Sequence, residues 1–206
     1  MTDYFAMLDE PRRPWLDPEV LKTRFLKLAA QFHPDRVPTA TESDQGTAHR
    51  RFAELNAAYN CLRQPRERLL HLLELERGVR PDGVQKISSP TMDLFTEVSR
   101  HCREADVLLA ARANVTSPLL NVQLFERGMA LTEKLNSLLP PLNVRREALI
   151  EQMKNLNMAW ESAPPVGTPR RVEALPCNRL ERIYRELSFL TRWSEQIQER
   201  VVQLSF

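Results

Sequence analysis

DPEVLKTRFLKLAAQFHPDRV, residues 17 to 37, decides how the rest of the chain reads. Asp17 can accept hydrogen bonds from the free N–H groups of a first helical turn, and Pro18 loses nothing at the first helical position. Leu21, Phe25, Leu28 and Phe32 then recur at i, i+4, i+7 and i+11, which predicts an amphipathic helix with one buried stripe. The helix must stop near Phe32, because Pro34 disfavours the α conformation in His33. Residues 36–47 are rich in Pro, Thr, Ser, Asp and Gly and read as a loop. Beyond it, RFAELNAAYNCL (51–62) predicts a helix over 48–62 with Phe52, Leu55, Tyr59 and Leu62 as its stripe. On the other side, Asp3 can cap a short helix carrying Tyr4, Phe5 and Leu8. After Gln64-Pro65, a leucine-rich helix is expected over 66–77.

Composition narrows the class. Apolar residues make up 42% and charged residues 27% of 206, which is ordinary for a globular chain and leaves room for two domains. Five glycines and no sustained period-two alternation predict an all-α protein. A net charge of +2 gives no support to a nucleic-acid or anionic-membrane partner, and the pairs Arg50-Arg51 and Arg170-Arg171 are too short for a nucleic-acid footprint. Cys61, Cys102 and Cys177 are odd in number and widely spaced, so a reducing compartment is expected and neither a disulfide framework nor a metal clip. The start MTDY has no apolar core of a secretion signal, and no apolar run is long enough to span a bilayer. The expected compartment is the cytoplasm. No acid, base or nucleophile is paired at useful spacing, and no glycine-rich phosphate loop is present, so no enzyme, cofactor or metal is expected.

The best boundary is GVRPDGVQKISS (78–89), giving modules at 1–77 and 90–206 with 78–89 as a linker. A helix is predicted from Ser89-Pro90 to about Arg112, and apolar stretches at 119–139 and 142–160 are split by Pro140-Pro141, giving either two helices or one sharply broken one. Residues 161–176 (ESAPPVGTPRRVEALP) read as a proline-rich loop. Asn178 with Glu181 three residues on resembles a capping box, and Leu180, Ile183, Leu187, Leu190, Ile197, Val201 and Leu204 form the stripe of a bundle helix. The expected fold is a helical hairpin domain followed by a three- or four-helix bundle.

An amphipathic helix, His33-Pro34-Asp35, a polar loop and RFAELNAAYNCL together resemble a J-domain. Two further stretches, QPRERLLHLLELERG (64–78) and YRELSFLTRWSEQIQERVVQLSF (184–206), resemble the HscB family of J-domain co-chaperones for iron–sulfur cluster assembly. No glycine/phenylalanine linker or zinc module of general J-proteins is present.

That resemblance implies a chain that docks on a DnaK/HscA-type heat-shock chaperone, stimulates its ATPase and delivers an iron–sulfur scaffold protein. The implied chaperone-binding residues are His33, Pro34 and Asp35, with Lys22 and Lys27 on the outer face of the preceding helix. Arg24 lies nearer the core edge, and Leu26 points outward where J-domains commonly carry a cation. The implied client-binding residues are Leu94, Phe95, Val98 and Phe189. Phe189 has separate support from the helical wheel: it sits about 100° from its neighbour Leu190 on the stripe and pairs at i, i+4 with Trp193, itself read as core. Where the family surrounds this patch with glutamates, Ser99 and Cys102 stand at two of the positions, with Asp106 retaining an acid. A J-domain adaptor for another client is therefore the alternative. His49, His71 and His101 read as surface or satisfied core histidines.

Overall fold

The computed structural model describes residues 1–32, 42–81, 89–113 and 115–205, and every regular element among them is a helix. In order these are α1 (Tyr4–Met7), α2 (Pro18–Gln31), α3 (Glu42–Arg63), α4 (Pro65–Arg77), α5 (Ser89–Ala113), α6 (Pro118–Ser137), α7 (Leu139–Glu161), α8 (Pro169–Ala174) and α9 (Cys177–Leu204). The chain divides into two compact units: Met1–Gly83 with Ile150–Tyr184, and Val84–Leu149 with Arg185–Phe206. Residues 150–184 thus group with the N-terminal unit, which the serial division at 78–89 does not anticipate.

In the first unit, Asp3 and Asp17 cap α1 and α2 as expected, each accepting from two backbone N–H groups of the following turn. Leu21 and Ala29 of α2 face Leu55, Ala58 and Leu62 of α3 in the buried core, and Phe25 stacks on Tyr59 with centroids 4.3 Å apart. α4 ends where Gly78 adopts φ 72°, a left-handed conformation that closes the helix with its N–H on the Glu74 carbonyl at 2.8 Å.

The second segment of this unit grips the first through polar side chains. Asn157 accepts from the Trp15 N–H and donates to the Trp15 carbonyl, both at 2.9 Å. Arg171 and Glu76 form a bidentate pair at 2.8 and 2.9 Å, and Arg171 also donates to the Pro164 carbonyl. Both members of that pair are buried. Arg77 bonds both Asn178 and Glu181. The expected capping box therefore gives way to a tertiary tie.

Two sequence expectations change. α3 begins at Glu42, inside the span read as loop, because polar residues also suit a helix's solvated opening turns. Of the two arrangements open at Pro140-Pro141, the structure shows two separate helices, α6 and α7, with both prolines in the first turn of α7, where their missing N–H groups would have had no intrahelical partner. Within the proline-rich stretch, Thr168-Pro169 starts the short helix α8, which carries Arg171 to Glu76.

His71 is a satisfied core histidine. Its Nε2 accepts the Tyr4 N–H at 3.1 Å, and the Tyr4 ring stacks on it at 4.5 Å. Burial pushes its pKa down, with Asp3 opposing and Arg12 adding to the shift. In acid the unfolded chain takes up a proton that folded His71 refuses, so stability is full at neutral pH and declines as pH falls below about 6.5. Urea midpoints measured at neutral and mildly acidic pH should therefore fall less for His71→Gln, which keeps an acceptor for Tyr4, than for wild type. Buried Glu10, whose pKa burial raises, acts in the opposite sense but is common to both proteins. Identical declines would show that His71 does not titrate this unit.

The second unit packs α5, α6, the start of α7 and the end of α9, so its bundle has four helical segments. Val98, Cys102, Ala105 and Leu108 of α5, Leu131 and Leu135 of α6, Leu142 of α7, and Leu187, Leu190 and Ile197 of α9 make its core. Arg145 holds Glu186 at 2.7 Å, and Arg200 holds Asp106 at 3.0 Å.

Candidate functional site

Two surfaces carry the sequence-derived candidates, one on each unit. His33, Pro34 and Asp35 lie outside the described residues, as do most of the 78–89 linker and Phe206. The elements flanking the tripeptide are described. α2 ends at Gln31 with Phe32 as its C-cap, and the Arg51 guanidinium of α3 sits over the Phe32 ring at 5.4 Å. This cation–π contact ties the end of α2 to α3.

Along α2, Lys22 and Lys27 are both exposed, and neither forms an ion pair among the described residues. Leu26 stands between them at 55% exposure. Arg24 is held away from that face: it pairs with the buried Glu10 carboxylate at 3.3 Å and donates to the Asp9 carbonyl. The available cations of the helix are thus the two lysines read from the sequence, with an apolar side chain between them.

On the second unit, α5 and α9 bring the client candidates together around a tryptophan. Trp193, 4% exposed, packs against Phe95 and Phe189, each with its ring centroid 5.7 Å away. Phe95 is 39% exposed, while Leu94 and Phe189 are half-buried. Val98 is 1% exposed and belongs to the core beneath them. It can shape the patch only by supporting the residues above it. Trp193 is core, as read, but it is also the link that joins Phe95 to Phe189. The i, i+4 spacing from Phe189 was its sequence signal, whereas its partner on α5 was not visible in one sequence.

The acidic rim is engaged internally. Asp106 binds Arg200, Arg100 lies 3.5 Å from Glu97 and 3.9 Å from Glu104, and Glu104 also meets His101 at 3.1 Å. Cys102 is buried, and its carbonyl accepts from Arg200. Burial pushes the thiols of all three cysteines up, that of Cys61 to about 11, so they are protonated at neutral pH and poor nucleophiles. Among the described residues, no group of three His, Cys, Asp or Glu side chains could hold a metal, and no helix is long and apolar enough to cross a membrane.

Residues 3–71, α1 through the first half of α4, match the family model of the DnaJ domain. Over the whole chain, the structure of the chaperone HscB from Vibrio cholerae is similar, with a TM-score of 0.60, 20% identity, and coverage of 98% of this chain and 99% of that one. The human co-chaperone protein HscB is also similar, with a TM-score of 0.57, 17% identity, and coverage of 98% and 81%.

Proposed function

Since this chain carries a DnaJ domain within an HscB-like fold, we propose that it is a co-chaperone that docks on a DnaK/HscA-type chaperone, stimulates its ATPase and presents an iron–sulfur scaffold protein to it. The observation that carries the reading is the DnaJ match, which spans the α2–α3 hairpin and the tripeptide His33-Pro34-Asp35. The lysines at 22 and 27 support it, being exposed and free to meet an acidic chaperone surface. The chain itself works by binding and performs no chemistry. Its proposed compartment is the cytoplasm, in keeping with three cysteines held as thiols.

Phe95, Phe189 and Leu94 are the proposed client contacts, with Val98 and Trp193 as the floor beneath them. Clustered, partly exposed aromatics over a packed base have the make-up of a binding hot spot. A specific observation favours a second reading of the client. Asp106, the acid on the face of the patch, is neutralised by Arg200, and Ser99 and Cys102 replace family glutamates. On that reading the J-domain function is unchanged, and the bundle serves another client.

Single-turnover ATP hydrolysis by a DnaK/HscA-type chaperone tests the first half, with acceleration on adding the chain as the expected result. Capture of an iron–sulfur scaffold protein tests the second. Phe189→Ala should weaken capture about 30-fold or more, since truncating a hot-spot residue costs about 2 kcal/mol or more. Acceleration without scaffold capture by wild type selects the other client. No acceleration at all rejects the co-chaperone reading.

A further inference from the structure

The second unit holds a further concave site that the proposed activity does not use. α5 and α6 splay over about three turns to leave a cavity of about 560 Å³. Its rim is Arg100, Arg103, Arg127 and Lys134, against one carboxylate, Glu104. Its floor is apolar, with Leu108 and Leu131 buried and Val107 left 71% exposed. Among the described residues, neither Arg103, Arg127 nor Lys134 forms an ion pair, and Arg103 donates only to the Ser99 carbonyl. Glu104 is already shared between Arg100 and His101. Three cations are thus gathered at an apolar concavity with no counter-charge of their own.

We propose that this α5–α6 groove is a second docking site, and that it receives an acidic protein segment carrying leucine-like side chains. Charge complementarity selects the occupant: carboxylates would meet the rim cations while an apolar side chain covers Val107 and the floor. The apolar floor and Glu104 are unsuited to a nucleic-acid backbone, which needs a continuous cationic track. A concavity between two helices admits one chain, whereas a lipid surface would need a projecting apolar face. The groove is also separate from the aromatic patch. Phe95 and Glu104 are nine residues apart on α5, so they lie about 180° from each other around the helix. One molecule can therefore hold a client at the patch and an acidic segment at the groove.

The test uses the full chain and a fluorescein-labelled peptide of Glu and Leu, roughly 11 residues long to match the groove, read by fluorescence anisotropy. Wild type should bind it, with affinity falling as salt is raised. Arg127→Glu combined with Lys134→Glu should weaken binding at least about tenfold. The pair Arg127→Ala and Lys134→Ala should give a smaller loss in the same direction. Arg127 and Lys134 are both exposed, and an unchanged thermal midpoint confirms folding. Phe189→Ala should bind the peptide like wild type, which separates this site from the client patch. The proposal is overturned if a Lys and Leu peptide binds equally well, or if the charge reversals change nothing. It is equally overturned if single-stranded oligonucleotide or phosphatidylserine vesicles bind and the acidic peptide does not.

Discussion

Replacing Asp35 with alanine should abolish stimulation of the partner's ATP hydrolysis while leaving the chain folded. Pro34 fixes its own backbone and ends the helical run, and the next residue is a carboxylate in a stretch with no apolar stripe. On the proposed reading it makes a charge-assisted bond to a cation on the chaperone, and Arg is the residue that makes such bonds best. Truncating one member of a buried interfacial pair costs about 2–5 kcal/mol, roughly 30-fold or more in affinity. At working concentrations the complex is then lost, so hydrolysis returns to the basal rate. Lys22→Glu and Lys27→Glu should each give a partial, salt-sensitive loss, since a rim charge acts through long-range attraction more than through a fixed contact. Normal stimulation by Asp35→Ala, with unaltered circular dichroism, would remove the tripeptide from the docking surface.

The second large effect is on stability. Arg171→Met should lower the unfolding free energy by about 3–5 kcal/mol, because it leaves the Glu76 carboxylate buried with no partner. Arg171 is also the donor to the Pro164 carbonyl, so that oxygen loses a bond too. Adding Glu76→Leu should recover most of the loss. An apolar pair of similar volume removes the stranded charge, and such replacements of buried ion pairs are often neutral or better. The comparison is made on urea midpoints of wild type, single and double variants. A double variant no more stable than Arg171→Met would mean that the pair matters through geometry around α8 and not through the stranded charge.

The helices were legible where local chemistry is decisive. Asp17-Pro18 and the Leu21-Phe25 face placed α2, and the heptad-like stripe from Leu180 to Leu204 placed α9. Thr168-Pro169 is a start signal of the same kind, but the surrounding prolines masked it, and α8 was read as loop. What no local pattern could carry was partnership across the chain. Asn178 and Glu181 have the spacing of a capping box, yet Arg77 takes both side chains, because a guanidinium makes charge-assisted bonds that outcompete the neutral N–H groups of a helix end for the same oxygens. Likewise, periodicity marks Val98 and Phe95 as apolar without saying which lies under the other. Packing against Trp193 and the core decides that Phe95 is offered and Val98 covered. The division of residues 150–184 from the rest of the C-terminal half has the same origin, in Asn157 reading the Trp15 backbone.

That long-range grip also bears on synthesis. Glu76 precedes its arginine by 95 positions and Trp15 precedes its asparagine by 142. At about 5–20 residues per second, the ribosome needs roughly 5–20 s to supply Arg171 after Glu76 has emerged. Through that interval the nascent hairpin must wait with a stranded acid and two bare peptide groups, able to begin folding but not to finish it.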